Sequence, residues 1–275
     1  MGLLKVSKIA VWAGALPVIR GLRPGFRKLV QWRKRVVSMR HRRELGRRWQ
    51  RRHSSPAGSI VRTPLQQLAV TVISLPARTD RLKEFEVEMD RVGITDYTVT
   101  PGVPGKDLFP KLPVDFSGAI GCNLAHAEAL DRHDWGAKSL LMVCEDDLEL
   151  LVDRPRLIRL IEEFAQNSDL DVLCLAGRVR GPRLPVSDSL WVATGIVGQA
   201  CYILKPRIAS RLSSIWRKGV DDLQKQDLSG KNDVVWNRVQ RREAFFAFPR
   251  VQVARQRAGY SDIQGRELPV QESTG

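Results

Sequence analysis

The order of apolar and polar positions along residues 63–268 predicts alternating strands and helices. Residues 68–75 form an apolar run rich in β-branched side chains, which predicts a first strand. Apolar side chains then recur every three or four positions, which predicts a helix over residues 79–93 with Thr79 as its N-cap. Residues 94–100 predict a second strand. A strand–helix–strand unit of this kind is typical of an α/β nucleotide-binding domain.

The same alternation continues through the rest of this region, which predicts an α/β fold. Further helices are predicted at residues 119–130, 155–165 and 232–239 and from Pro206 onward, and further strands at residues 140–144, 170–175, 191–193, 199–204 and 245–253. Residues 177–185 are interpreted as a basic loop and residues 254–259 as a turn. Arg178, Arg180 and Arg183 of that loop either close over a diphosphate or remain in solvent.

The apolar run at residues 140–144 precedes the most informative polar segment of the chain. Its five apolar residues are uninterrupted, as in a strand buried on both faces of a parallel sheet. Glu145, Asp146 and Asp147 follow at once, and ligands of open α/β sheets bind beyond the carboxyl ends of the strands. Three adjacent carboxylates repel one another unless a cation or solvent neutralises them. The segment is therefore either a divalent metal site or a solvated acidic turn.

The net charge of the chain is +15, and all of it comes from the N-terminal region. Residues 1–52 hold 16 Lys or Arg and one acid, Glu44, whereas residues 53–275 hold 29 basic and 29 acidic residues. The body therefore lacks the net positive charge of a nucleic-acid-binding surface, and nucleic acid is not an expected partner. It also contains neither a GxGxxG nor a GxxxxGKS/T motif, which excludes a dinucleotide fingerprint and a P-loop.

Residues 26–49 combine many basic residues with scattered apolar and Trp residues, which predicts one or two basic amphipathic helices. Such helices lie on anionic membrane surfaces, and the open alternatives are a disordered tail and an RNA-binding arm. The apolar stretch at residues 9–19 is too short to cross a bilayer as a helix. Residues 53–59 are interpreted as a linker. The predicted organisation is an arm with its linker at 1–62, a body at 63–268 and a disordered tail at 269–275.

The four cysteines lie far apart along the sequence and lack a CxxC or zinc-finger spacing. Cys122, Cys144, Cys174 and Cys201 are each flanked by apolar or small residues, which predicts buried core thiols in a reducing compartment. His126 follows Cys122 by one helical turn, but the sequence places no further zinc ligands beside them. A helix packed against the acidic strand end is therefore expected, with a hydrogen bond from His126 near a substrate as the alternative.

Six motifs follow one another in a specific order along the body. They are Val72-Ile73-Ser74-Leu75, Arg78-Thr79-Asp80-Arg81, Gly121-Cys122-Asn123-Leu124-Ala125-His126, Cys144-Glu145-Asp146-Asp147, Gly198-Gln199-Ala200-Cys201-Tyr202-Ile203-Leu204 and Ser261-Asp262-Ile263. In order and spacing, these motifs resemble glycosyltransferase family 25 over residues 69–265. The sequence departs from the family pattern at Pro76, where an acid is usual, and at Ala125, where Ser is usual.

The resemblance implies a GT-A-like domain with a mostly parallel central sheet, preceded here by the basic arm. It implies transfer of a sugar, often galactose, from a nucleotide sugar to a saccharide or glycolipid hydroxyl, with inversion. A UDP-sugar is the expected donor and Mn²⁺ or Mg²⁺ the expected cofactor. The metal would be held by Glu145, Asp146 and Asp147, so that it neutralises the departing diphosphate.

The remaining site residues are assigned on the same resemblance. The candidate nucleotide-binding residues are Leu75, Arg78, Arg81 and His126. Arg78 and Arg81 either reach the nucleotide from the end of the first strand or lie on the surface of the following helix. The base that takes the acceptor proton is expected to be Asp233, or else Asp262. Asp233 alternatively stabilises the first turn of its helix.

Two other functions are left open. One is a non-catalytic family member that acts as a membrane-bound scaffold, which the departures at Pro76 and Ala125 allow. The other is a nucleic-acid-binding protein that uses its basic arm. The intact acidic motif favours the enzyme, with a cytoplasmic location and peripheral attachment to the cytoplasmic membrane face.

Overall fold

The computed structural model describes residues 24–53, 64–261 and 264–270 of the 275 residues. Its helices are α1 (Pro24–His53), α2 (Thr79–Arg91), α3 (Gly105–Leu108), α4 (Val114–Asp131), α5 (Arg154–Gln166), α6 (Pro206–Gln224) and α7 (Asn232–Arg242). Its strands are β1 (Leu68–Ser74), β2 (Thr98–Pro101), β3 (Leu140–Glu145), β4 (Leu148–Leu150), β5 (Val172–Val179), β6 (Arg183–Pro185), β7 (Leu190–Ala193), β8 (Ile196–Leu204), β9 (Phe246–Pro249), β10 (Ala254–Gln256), β11 (Gly259–Ser261) and β12 (Arg266–Leu268). Within the described ranges, none of the helices combines the length and the apolar character needed to cross a bilayer.

Eight of the strands form one sheet in the order β2-β1-β3-β8-β5-β9-β7-β6. β2 and β3 each pair with β1 in parallel, and β9 pairs with β5 in parallel. β8 is antiparallel to β3 and β5, and β7 is antiparallel to β9 and β6. Six of the eight strands therefore run in one direction, with β8 and β7 reversed. The predicted α/β class and mostly parallel sheet are confirmed.

β3 is buried on both faces of the sheet, as its uninterrupted apolar run predicts. Leu140, Met142 and Cys144 pack into one core cluster. Leu141 and Val143 pack into the cluster on the opposite face, because successive side chains of a strand point to opposite sides. The acidic residues after β3 are therefore held by a strand that is fixed from both sides.

α1 is a single basic helix whose C-terminal half packs against the body. Leu45 is buried in a core cluster, and the rings of Trp49 and Phe245 meet edge to face with 5.1 Å between their centroids. Arg52 donates hydrogen bonds to both carboxylate oxygens of Asp171, at 3.1 and 3.2 Å. These contacts attach the helix to the folded body.

The described side chains of α1 begin at Val36, so only the second half of the predicted basic arm can be compared with the body. Val37 and Met39 are exposed, whereas Leu45 is buried. The attachment of α1 therefore depends on a few specific contacts in its second half rather than on a continuous apolar stripe.

Two segments without a recognisable strand pattern are paired in the structure. Residues 177–185, predicted as a loop, contain the end of β5 and all of β6, which pairs with β7. Residues 254–259, predicted as a turn, contain β10, which pairs with β4. Both predictions were wrong because the strands are short and are stabilised by partners elsewhere in the chain.

Two predicted helix starts are also corrected. Thr79 is the first residue of α2, and the N-cap position belongs to Arg78, which makes no side-chain capping hydrogen bond. The helix predicted from residue 119 begins at Val114. Gly121 lies inside this helix, at a position where another segment crosses it closely.

Candidate functional site

A cavity of about 230 Å³ opens where β1 and β3 end. Leu75, the first residue after β1, lines it together with Glu145, Asp146 and Asp147 at the end of β3. Its other walls come from residues 102–106, which are the loop after β2 and the start of α3, from one face of α4 and from β10. This is the edge of an open α/β sheet at which ligands bind. Ligand pockets usually measure about 300–1,000 Å³, so a whole nucleotide sugar would extend beyond this cavity.

The wall formed by α4 requires glycine where the loop after β2 crosses the helix. A Cβ on Gly121 would lie 2.3 Å from the carbonyl oxygen of Val103, and a Cβ on Gly105 would lie 1.8 Å from that of Ser117. No larger side chain fits at either position without moving the backbone. The close crossing holds residues 102–106 against α4 and fixes this side of the cavity.

Asp146 and Asp147 are buried carboxylates that share Arg81. Asp146 accepts a hydrogen bond from Ser74 Oγ at 2.7 Å and one from Arg81 Nη1 at 3.2 Å. Asp147 Oδ2 accepts a hydrogen bond from Gln256 Nε2 at 2.8 Å and lies 3.5 Å from Arg81 Nη1. Burial raises the pKa of Asp146 despite these donors. The acidic turn is therefore neither solvated nor fully neutralised.

Asp147 has the properties of a ligand for a hard divalent cation. Its Oδ1 atom is buried and has no hydrogen-bond partner among the described residues. Burial, followed by the charge of Glu145, raises the pKa of Asp147 to about 7. A cation at Oδ1 would satisfy that oxygen and offset the cost of burying its charge, and Mg²⁺ and Mn²⁺ prefer carboxylate oxygens. The residues present therefore fit the expected metal.

Glu145 contacts α4 rather than Arg81. Its Oε1 atom lies 3.1 Å from His126 Nε2, and His126 Nδ1 lies 3.0 Å from the hydroxyl of Tyr202. Cys122 completes a group of three side chains whose ligand atoms lie within 4.8 Å of one another. In the described part of the chain, the three acids of the motif do not form such a group among themselves. The structure thus separates Glu145 from the pair of aspartates.

The predicted nucleotide-binding residues are brought together in part. Leu75, Arg81 and His126 line the cavity. Arg78 pairs with Asp80 at 3.0 Å at the start of α2 and is not among the residues that line the cavity. Of the two arginines, only Arg81 lines the cavity.

Of the two candidate bases, Asp233 is not among the residues that line the cavity, and Asp262 lies outside the described residues. Asp233 lies in the first turn of α7, as predicted. Burial raises the pKa of Asp233, against the opposing charges of Lys231 and Arg180. The pKa of the Cys122 thiol is raised by burial and then by nearby carboxylates, one of which is Asp233. Asp233 therefore lies near the wall formed by α4.

Three residues of the site were not assigned from the sequence. Gln256 reaches Asp147 because β10 pairs with β4, although the two residues are 109 positions apart. No local pattern signals that contact. Ser74 and Tyr202 lie within motifs that carry the family resemblance, which is the signal that could have indicated them.

The cysteines are placed largely as predicted. Cys144, Cys174 and Cys201 are buried in the core, and all four thiols are free. Cys122 differs because it is only half-buried and lines the cavity.

Comparison with protein-family models gives no match, and comparison with curated proteins gives none. Among solved structures, the chain is similar to A197 from STIV, with 12% identity, 76% of this chain and 97% of that chain covered, and a TM-score of 0.38. It is similar to a glycosyltransferase involved in the glycosylation of the major capsid of PBCV-1, with 8% identity, coverages of 54% and 65%, and a TM-score of 0.33. It is also similar to mannose-1-phosphate geranyltransferase from Thermus thermophilus, with 13% identity, coverages of 66% and 73%, and a TM-score of 0.35. At TM-scores this low, conclusions about the site rest on the residues of this chain.

Proposed function

We propose that this protein is a GT-A-like glycosyltransferase that moves a sugar from a nucleotide sugar to a hydroxyl of a saccharide or glycolipid acceptor. One observation carries the proposal: Asp147, whose buried Oδ1 atom has no hydrogen-bond partner within the described ranges, lines a cavity at the carboxyl edge of the sheet. Mn²⁺ or Mg²⁺ held by Asp147 and Asp146 would supply the positive charge that neutralises a departing nucleotide diphosphate. The resemblance to glycosyltransferase family 25 makes UDP-galactose the first donor to test.

Arg81 is proposed to bind the donor phosphates. Its guanidinium lies between Asp146 and Asp147 and faces the cavity. A guanidinium binds phosphate and carboxylate oxygens with similar geometry, so it can exchange one for the other when the donor enters. His126 is the other proposed donor contact, through the face of its ring in the cavity lining, because Tyr202 and Glu145 hold its two nitrogens.

Asp233 is proposed as the base that takes the proton from the acceptor hydroxyl. Its pKa is raised by burial, which makes the carboxylate a better proton acceptor. In an inverting transfer it would act from the face opposite the leaving group. Asp262 is the second candidate for this role.

We also propose that α1 contacts an anionic membrane surface. Exposed basic side chains recur every three or four positions on the side of the helix away from the body, at Arg40, Arg43, Arg47 and Arg51. Each Lys or Arg near an anionic surface contributes about 1 kcal/mol. A protein attached in this way to the cytoplasmic face would meet a glycolipid acceptor at the same surface.

The central proposal is tested by thermal unfolding of the full chain with a panel of nucleotide sugars, with and without Mn²⁺. A ligand at about 100 times its Kd stabilises a protein by about 2.7 kcal/mol, which corresponds to a rise in Tm of about 5 °C or more. We expect that rise for at least one donor only with Mn²⁺, and we expect Asp147→Asn to abolish it. The exposed Asp96→Asn is the matched control and should keep it. Metal-dependent stabilisation that survives Asp147→Asn would disprove the assignment.

One observation favours a second candidate function, a nucleotide-binding scaffold without transfer. Arg81 contacts both aspartates and partly neutralises them without a metal ion. Such a protein would bind nucleotide sugar without Mn²⁺ and would form no glycosylated product. Product formation from a radiolabelled donor distinguishes the two functions.

A further inference from the structure

A mixed group of soft and hard ligands lies in the cavity wall that α4 and the end of β3 form. The Cys122, His126 and Glu145 ligand atoms lie within 4.8 Å of one another. Cys122 and His126 are four positions apart on α4, so they share one face of the helix, and Glu145 approaches that face from the end of β3. All three residues line the cavity. A cation bound between them would have protein ligands on one side and open space on the other.

Hydrogen bonds from neighbouring residues orient two of these ligands. The Tyr202 hydroxyl lies 3.0 Å from His126 Nδ1, which leaves His126 Nε2 directed at Glu145. Histidines that bind metals usually have their other ring nitrogen held in this way. The amide of Asn232 donates a hydrogen bond to Cys122 Sγ at 3.0 Å. That donor orients the sulfur and would stabilise the thiolate that forms once a metal displaces the thiol proton.

The charge of Glu145 is available to a cation. Among the ion pairs of the described residues, Glu145 pairs with His126 and with no lysine or arginine. Asp146 and Asp147, in contrast, share the guanidinium of Arg81. Arg81 therefore offsets the charge of the two aspartates but not that of Glu145, and Glu145 is the acid that lies beside a thiol and an imidazole.

We propose that Cys122, His126 and Glu145 form a second cation site, separate from Asp147, that binds a borderline metal such as Zn²⁺. Thiolate and imidazole ligands select Zn²⁺ over Mg²⁺ and Mn²⁺, and three protein ligands with one open position are typical of zinc sites that also accept an exogenous ligand. Binding replaces the S–H bond of Cys122 with an S–metal bond and releases the thiol proton to solvent. The bound ion ties α4 to the end of β3 and restrains Glu145 beside the two aspartates.

The site is tested by titrating Co²⁺, as a spectroscopic substitute for Zn²⁺, into the metal-stripped full-length protein. We expect a thiolate-to-cobalt charge-transfer band in the near ultraviolet that saturates at one equivalent and is removed by Zn²⁺. Cys122→Ser should abolish the band, whereas Cys174→Ser, a change at a buried cysteine outside the cavity, should keep it. Asp147→Asn should also keep it, because Asp147 is not a ligand of this site. No band in the wild-type protein, or a band that survives Cys122→Ser, would overturn the proposal.

A second variant guards against misfolding of Cys122→Ser. Glu145→Gln preserves shape, and we expect it to weaken Co²⁺ binding about tenfold or more, with the band retained at saturation. Unchanged Co²⁺ affinity in this variant would remove Glu145 from the site and so contradict the proposal. Since no nucleotide sugar is used, these results are independent of whether the protein transfers a sugar.

Discussion

Replacing Asp171 with Asn is expected to loosen the attachment of α1 to the body. The carboxylate has 3% of its side chain exposed and accepts hydrogen bonds from Arg52 at 3.1 and 3.2 Å, from the Phe245 N–H at 2.7 Å, and from Arg207. The amide of the variant is uncharged and accepts through one oxygen only, so both arginines lose their buried counter-charge. Breaking a buried pair costs about 3–5 kcal/mol, and we expect about 3 because both arginines keep contact with water.

Urea denaturation measures this loss, and the corresponding fall in Tm is about 6–12 °C. Trypsin reports separately on α1, because its arginines become cleavable once the helix detaches. Asp169→Asn is the matched control: Asp169 has 15% of its side chain exposed and lies 3.8 Å from the same arginine, Arg52, so we expect a cost under about 1 kcal/mol. Equal losses in the two variants, or unchanged trypsin resistance in Asp171→Asn, would refute the role of the buried carboxylate.

Three further predictions concern the cavity and the core. Gly121→Ala is expected to lower both stability and nucleotide-sugar binding, because the added Cβ would lie 2.3 Å from the Val103 carbonyl oxygen; a wild-type unfolding midpoint would contradict this. Leu45→Ala is expected to cost about 2–5 kcal/mol in urea denaturation, since a buried side chain is removed from the core, and a negligible loss would show that α1 does not contribute to it. Burial raises the pKa of Asp147 to about 7 from an ordinary 3.8, so the metal-free folded protein holds a proton that the unfolded chain has lost between those values. The free energy of unfolding should therefore fall as the pH rises from about 4 to about 7, and identical slopes for the wild type and Asp147→Asn would argue against it.

The sequence predicted those parts of the fold that local patterns determine. β3 is recognisable because burial on both faces requires an uninterrupted apolar run, and its end marks the acidic residues. The helices with apolar residues every three or four positions were found for a similar reason, since one face of each packs on the sheet. The position of Glu145, Asp146 and Asp147 at the cavity was thus predictable from the sequence alone.

The partners of those acids were not predictable in the same way. Gln256 contacts Asp147 only because β10 pairs with β4, and a three-residue strand has no period long enough to recognise. Glu145 contacts His126 of α4, whereas the aspartates contact Arg81. This division of the motif depends on how a helix and two loops meet at the sheet edge. Such contacts are set by tertiary packing, which no spacing rule encodes.

The pairing of β10 with β4 also has a consequence for how the protein is made. Gln256 lies 109 positions after Asp147, so a chain emerging from the ribosome exposes its acidic motif long before the amide that holds it has been synthesised. At about 5–20 residues per second, that delay lasts several seconds to about twenty. A translation product that stops before Ala254 would contain the whole acidic strand and still lack this contact.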